Sequence, residues 1–155
     1  MATNPPRANP PLMMRRAIEL FEVKLRADGR SPKTVVSYHS DLEQLERFLA
    51  DRFLCFEVAG VAQDMLNEFI VSPVVTLLKN GTPKTESSVN KVKTSVKSFF
   101  NWLHDSEHVP SNPAARLRIR YIERPAPEIL TDVEKKRFLK AIANTRGKKA
   151  FRDFA

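Results

Sequence analysis

Ser31-Pro32-Lys33-Thr34-Val35-Val36-Ser37-Tyr38-His39-Ser40-Asp41-Leu42-Glu43-Gln44-Leu45-Glu46-Arg47-Phe48-Leu49 is the stretch on which the fold turns. Serine followed by proline is an N-cap with proline at the first helical position, where its missing N–H costs nothing. Val35, Tyr38, Leu42, Leu45 and Leu49 then recur at spacings of three, four, three and four, which gathers them on one helical face. Such a stripe needs partners to cover it, and the flanking sequence supplies them. Upstream, Met14, Ile18, Phe21 and Leu25 repeat the pattern, and Asp28-Gly29 offers a left-handed C-cap. Downstream, a less regular third helix runs from about Val61 with Leu66, Phe69 and Ile70 apolar. Ser72-Pro73 kinks it or restarts it as a short helix ending at Asn80-Gly81. Thr85 caps a fourth helix, in which Val89, Val92, Val96, Phe99 and Leu103 again alternate by three and four with Phe100 beside them. Sustained period-two alternation is missing, so four helices joined by short turns predict an all-α bundle.

Bulk properties narrow the class. At 155 residues, 42% hydrophobic and 28% charged, the chain has the make-up of a soluble globular domain with room for the beginning of a second. No stretch approaches the ~20 apolar residues of a membrane span. The opening MATNPPRANPP carries prolines where a signal peptide has its apolar core, so a cytoplasmic, nucleoid-associated location is expected. A single cysteine, Cys55, cannot form an internal disulfide and reads as a small buried hydrophobe. Four glycines are too few for a Gly-rich phosphate loop.

Organisation changes after Pro110. Residues 1–11 read as a disordered tail and 12–110 as the bundle. Residues 111–128, with Asn112-Pro113 and then Arg116, Arg118, Arg120 and Arg124 among prolines, read as an extended basic linker. Thr131-Asp132-Val133-Glu134 is a capping box that opens a new helix through Phe138, Leu139 and Ile142, and Lys148 to Ala155 resemble the first turns of another. Residues 129–155 are therefore expected to begin a second domain without completing it.

The net charge of +8 suits a polyanionic partner, and its placement is more informative than its size. Opposite the apolar stripe of the fourth helix lie Ser87, Asn90, Lys91, Lys93, Thr94, Lys97, Ser98 and Asn101, preceded by Lys84. From Ser87 to His104 no Asp or Glu occurs. A merely solvated face mixes both signs for i,i+4 pairing, so an acid-free face points to duplex DNA as the partner. The second helix repeats this in its first half, where Lys33, Thr34, Ser37, His39 and Ser40 precede any acid, at the end where free amides and the helix dipole favour phosphate. Asp41, Glu43 and Glu46 are expected to point away from DNA. Lys, Asn, Ser and Thr can meet base edges in the major groove, while phosphate contacts from these residues and from Arg116, Arg118 and Arg120 would dominate affinity.

These residues also carry a family resemblance. Gly29, Ser31, Thr34, Tyr38, Asp41, Leu42, Leu45 and Phe48 resemble the second-helix pattern of the core-binding domain of tyrosine recombinases, the Xer and phage-integrase family. Val96-Lys97-Ser98-Phe99-Phe100-Asn101-Trp102-Leu103 with Asn112-Pro113 resembles the fourth helix and domain end of that SAM-like bundle. Ile129-Leu130-Thr131-Asp132-Val133-Glu134, and more weakly Arg152-Asp153-Phe154-Ala155, resemble the opening of the catalytic domain. The resemblance implies a clamp closed around double-stranded DNA, with the second and fourth helices against the major groove. It further implies DNA integration or recombination by a tetramer, through a 3′-phosphotyrosyl intermediate. Two arginines, a lysine and histidines assist, without metal, nucleotide or other cofactor. The chain is expected to stop before the first catalytic arginine, so that these 155 residues bind DNA without cutting it. Tyr38, in the apolar stripe, reads as a packing residue, and Tyr121, among arginines, as a possible neighbour of the DNA backbone.

His104 and His108, four apart, have no third metal ligand in sequence reach, and Trp102 beside Leu103 reads as core or domain-interface surface. Two other functions fit parts of the pattern. A helix-turn-helix regulator without enzymatic activity would explain the charge but not the capped helix after the linker. A purely protein-binding bundle would not explain the acid-free face. No membrane or small-molecule partner is indicated.

Overall fold

The computed structural model describes residues 10–120 and 131–143. The tail expected at its start, the later linker with Tyr121 and Arg124, and the turns expected over Lys148 to Ala155 lie outside the described residues. The chain divides into two units, Met1–Ile122 and Glu123–Ala155.

The first unit holds α1 (Met14–Ala27), α2 (Pro32–Phe53), α3 (Gln63–Val71), α4 (Pro73–Thr76) and α5 (Glu86–Asp105), with a 3-10 turn at Val58–Gly60. The described residues contain no strand, only two isolated bridges, Met13 to Glu57 and Leu77 to Pro83. The N-caps sit where the sequence places them. Ser31 Oγ accepts from Thr34 N–H at 3.2 Å, and Thr85 Oγ1 from Ser88 N–H at 3.3 Å. The stripes of α1, α2 and α5 meet in one core in which Phe21, Leu45, Leu49, Phe69, Phe99, Phe100 and Leu103 are fully buried. Each such side chain contributes roughly 1.5–3 kcal/mol of transfer free energy on burial. Tyr38, half-buried, packs its ring 6.0 Å from that of Phe21, in keeping with a packing role.

Three helices end in the same left-handed way. Arg30 N–H reaches back to Leu25 C=O over Gly29 (φ 73°), Cys55 N–H to Leu49 C=O over Leu54 (φ 51°), and His108 N–H to Leu103 C=O over Glu107 (φ 58°). The first and third are six-to-one bonds and the second spans one residue more; all three satisfy carbonyls that a helix end otherwise leaves bare. Only the first uses the glycine that the sequence announces.

Between α4 and α5 the chain departs from expectation. The helix restarted by Pro73 ends at Thr76 instead of continuing to Asn80-Gly81. Residues 77–84 instead form a tight reversal, in which Leu78 N–H donates to Thr82 C=O at 2.8 Å and Lys84 N–H to Thr76 C=O at 2.7 Å. Gly81 (φ 81°) makes the turn, and Asn80 Oδ1 accepts from the Thr82 amide and hydroxyl. Asn-Gly favours such a turn over helix propagation because both residues tolerate left-handed backbone.

In the second unit, α6 (Asp132–Ala143) opens with the expected capping box: Glu134 accepts from Thr131 N–H at 2.8 Å, and Thr131 Oγ1 accepts from Glu134 N–H at 3.4 Å. The Thr131 hydroxyl and amide hold the Glu134 carboxyl below its ordinary pKa. Among the described residues no helix is long and apolar enough to cross a membrane.

Candidate nucleic-acid interface

The polar side of α5 is divided lengthwise into two strips. Glu86, Asn90, Lys97 and Asn101, at spacings of four, seven and four, share one strip, and the chain after the bundle runs back along it. Asn112 Nδ2 donates to Asn101 Oδ1 at 2.7 Å, Lys97 Nζ to Leu117 C=O at 3.2 Å, and Arg120 Nη1 to Glu86 Oε1 at 3.1 Å. Asn90 grips Arg120 twice: its Nδ2 donates to the carbonyl at 2.6 Å and its Oδ1 accepts from the amide at 3.3 Å. Ala114 and Leu117 are buried beneath this stretch. The first part of the expected linker is thus packed against α5, which the proline and arginine content did not suggest.

Ser87, Lys91, Thr94 and Ser98, at spacings of four, three and four, form the neighbouring strip. Ser87 and Lys91 are exposed, and Thr94 and Ser98 half-buried. Thr94 Oγ1 donates to Asn90 C=O at 2.9 Å, an ordinary back-bond of a helical threonine. No segment of the described chain is hydrogen-bonded across this strip.

Beyond it α5 packs on α2 through a polar contact that the sequence did not mark. Ser95 Oγ donates to Asp41 Oδ2 at 2.7 Å, and both residues are buried. Asp41, expected to point away, instead faces α5, because its position on α2 falls between Tyr38 and Leu45 on the packed side. Desolvation raises its pKa above the ordinary carboxylate value, against the lowering pull of the Ser95 bond and of the Lys91 and Lys84 charges. Lys84, whose Nζ also donates to Val74 C=O at 3.1 Å, therefore lies with Lys91 near the middle of α2.

The first half of α2 presents Lys33 exposed. Thr34 and Ser37 are half-buried; Thr34 Oγ1 bonds Ser31 Oγ at 2.8 Å, and Ser37 Oγ has no hydrogen-bond partner. His39 rests its Nδ1 against Glu22, so it is paired within the bundle.

Charge pairing is concentrated on α1 and the second half of α2. Arg15 pairs with Glu46 at 3.1 Å, Arg16 with Glu19 at 2.8 Å, Arg47 with Glu43 at 2.9 Å and Arg52 with Glu68 at 3.6 Å, all on α1, α3 or the second half of α2. Among the described residues, Lys33, Lys91, Lys93, Arg116 and Arg118 have no carboxylate within ion-pair distance, whereas Arg120 is tied to Glu86. Exposed pairs contribute little to stability, so the contrast matters for the surface potential and not for the fold.

Of the remaining singled-out residues, Trp102 serves packing. Trp102 is half-buried, with its ring 5.3 Å from Phe21 and 5.7 Å from His108. His104 lies 3.8 Å from Asp105. The Cys55 thiol, half-buried and donating to Glu57 C=O at 3.6 Å, has its pKa pushed up by burial.

Five helices without a strand, paired charges on α1 and the second half of α2, and cations along the last long helix and the segment folded onto it that have no carboxylate partner among the described residues define a helical domain with a basic face. The chain belongs to the family described as phage integrase, N-terminal SAM-like domain, whose model matches residues 18–107. It is 26% identical over 143 residues to the tyrosine recombinase XerC of Herpetosiphon aurantiacus, covering 92% of this chain and 44% of that protein. It is 30% identical over 107 residues to XerC of Chlorobaculum tepidum (69% and 32%), and 25% identical over 119 residues to XerC of Natranaerobius thermophilus (77% and 38%). The chain thus spans less than half the length of each of these relatives. No solved structure gives a significant match.

Proposed function

We propose that this chain is the DNA-gripping portion of a site-specific tyrosine recombinase, holding duplex DNA against the open strip of α5 and the start of α2. The observation that carries the reading is the segregation of unpaired cations: Lys33, Lys91, Lys93, Arg116 and Arg118 have no acid partner among the described residues, while the basic residues of α1 and the second half of α2 have them. Lys84, Ser87, Thr94 and Ser98 line the same region, whereas the Ser37 hydroxyl oxygen is buried and would reach DNA only after a change of rotamer. Asn90, Lys97 and Arg120 fit a supporting role better, since each is hydrogen-bonded within the unit, and His39 is turned toward Glu22.

The intact recombinase would cleave and rejoin DNA through a phosphotyrosyl link, as a tetramer in the cytoplasm, with its catalytic residues supplied outside these 155. Phosphoryl transfer of that kind needs charged donors around the phosphate, and the residues described above supply grip instead. A helix-turn-helix regulator fits less well, because residues 77–85 form a reversal between α4 and α5 where that motif has a turn of about three or four residues.

The test is a salt titration of duplex binding with Lys33→Glu/Lys91→Glu. These positions are preferred to Lys97, where charge reversal would also release Leu117. Binding by the parent chain should fall steeply with salt, and the double variant should bind at least tenfold more weakly while remaining folded. Equal affinity in the folded double variant would remove this face from the interface.

A further inference from the structure

We propose that Asn90 is a positioning residue, whose carboxamide fixes the stretch 112–120 on α5 so that Arg116 and Arg118 belong to the rigid DNA-facing surface instead of to a loose tether. The inference rests on the DNA-binding reading above. It starts from a side chain only 9% exposed that spends both halves of its amide on one residue, Arg120. A carboxamide presents a donor and an acceptor side by side, as a backbone strand partner does. Aspartate of the same size would lose the donor, and leucine would lose both.

The rest of the stretch is arranged around this grip. Asn112, which also accepts from Ala114 N–H at 2.9 Å, bonds Asn101 at the far end, and Lys97 holds Leu117 C=O in between. Residues 113–116 form a turn closed by Leu117 N–H donating to Ala114 C=O at 3.1 Å, which sets Ala114 and Leu117 inward. With Leu117 buried, Arg116 and Arg118 are turned outward, and both are exposed and free of carboxylates among the described residues. A guanidinium on a loose segment would have to be ordered each time it met a phosphate, whereas here that ordering is completed when the unit folds.

The experiment is a mutant cycle on the 155-residue chain with a short mixed-sequence duplex, read as affinity across a salt series. Asn90→Ala should weaken binding on the order of tenfold and lower the salt slope by about one to two, as loss of one or two phosphate contacts would. Arg116→Ala/Arg118→Ala should do the same, and the triple variant should be no weaker than that pair, because both changes remove one effect. Amide hydrogen exchange supplies the structural readout: Arg120 N–H should be protected in the parent and unprotected in Asn90→Ala, with protection across Val96 to Leu103 retained. If Asn90→Ala loses that α5 protection, Asn112→Ala, which frees the other end without touching a buried side chain, should give the same direction of effect. Unchanged binding in Asn90→Ala, additive losses in the triple variant, or an unprotected Arg120 amide in the parent would each overturn the positioning role. If the arginine pair and Lys33→Glu/Lys91→Glu all bind as the parent does, the DNA reading itself fails.

Discussion

The two polar strips of α5 are made of the same kinds of residue and have opposite fates. Asn90, Lys97 and Asn101 bind the protein's own returning chain, while Ser87, Lys91, Thr94 and Ser98, a fraction of a turn away, hold no other segment of the described chain. Asparagine and lysine satisfy backbone groups as readily as they satisfy phosphates or base edges. An acid-free helix face therefore has two explanations that can coexist on one helix. Only the path of the following chain separates them.

The comparison can be broken most completely from beneath. Phe99 is fully buried, with its ring 5.4 Å from Phe21 and 5.3 Å from Phe100, and supports both strips at once. Phe99→Ala should cost roughly 3–5 kcal/mol in chemical denaturation, with binding lost in step with folding. A smaller blow falls on one strip alone. Asn90→Ala should cost about 1–2 kcal/mol of stability, whereas Lys91→Ala should cost less than about 0.5 kcal/mol and act mainly on DNA affinity. Equal stability losses would mean that the strips do not differ as described.

The boundary on the α2 side can be sharpened by pH. Burial favours the neutral Asp41 carboxyl, so its stabilising contribution is complete below the ordinary value of 3.8 and is lost as pH rises through the elevated one. Asp41→Asn should therefore gain stability relative to the parent at about pH 7 and much less at about pH 3, in denaturant midpoints taken at each pH. A constant difference would show that the carboxyl carries no buried charge. The smallest effect concerns the end of α5. Glu107, exposed and left-handed at φ 58°, should be replaceable by glycine with a gain of about 0.5–1 kcal/mol, seen as a rise in Tm.

The fold was legible because periodicity and punctuation agree along the chain. The stripes of α1, α2 and α5, the Ser31, Thr85 and Thr131 caps and the Gly29 stop all correspond to local physics that the sequence states directly. Where glycine is missing the signal disappears: nothing local announces that Leu54 or Glu107 turns left-handed, since tertiary closure imposes it. The site was legible as a composition and not as a geometry. Asn90 and Lys97 were singled out for a chemistry that here satisfies the protein's own backbone, and the Asp41–Ser95 contact went unmarked because a buried polar pair is formed by residues 54 apart. The four–seven–four spacing of Glu86, Asn90, Lys97 and Asn101 was present, but it gains meaning only once a second segment lies against it.

The hairpin made by α5 and the stretch 112–120 also has a mechanical reading. Because that stretch runs back along the helix, tension from the chain beyond Arg120 loads the Asn90 grip first, then the Lys97 bond, then Asn101, one at a time. Bonds loaded in series open like a zip, at lower force than bonds sheared together. At up to ~3.3–3.6 Å per released residue, complete peeling would lengthen the connection by on the order of 30 Å while drawing only Ala114 and Leu117 out of the core, making the stretch a reserve of slack between the bundle and the chain beyond it.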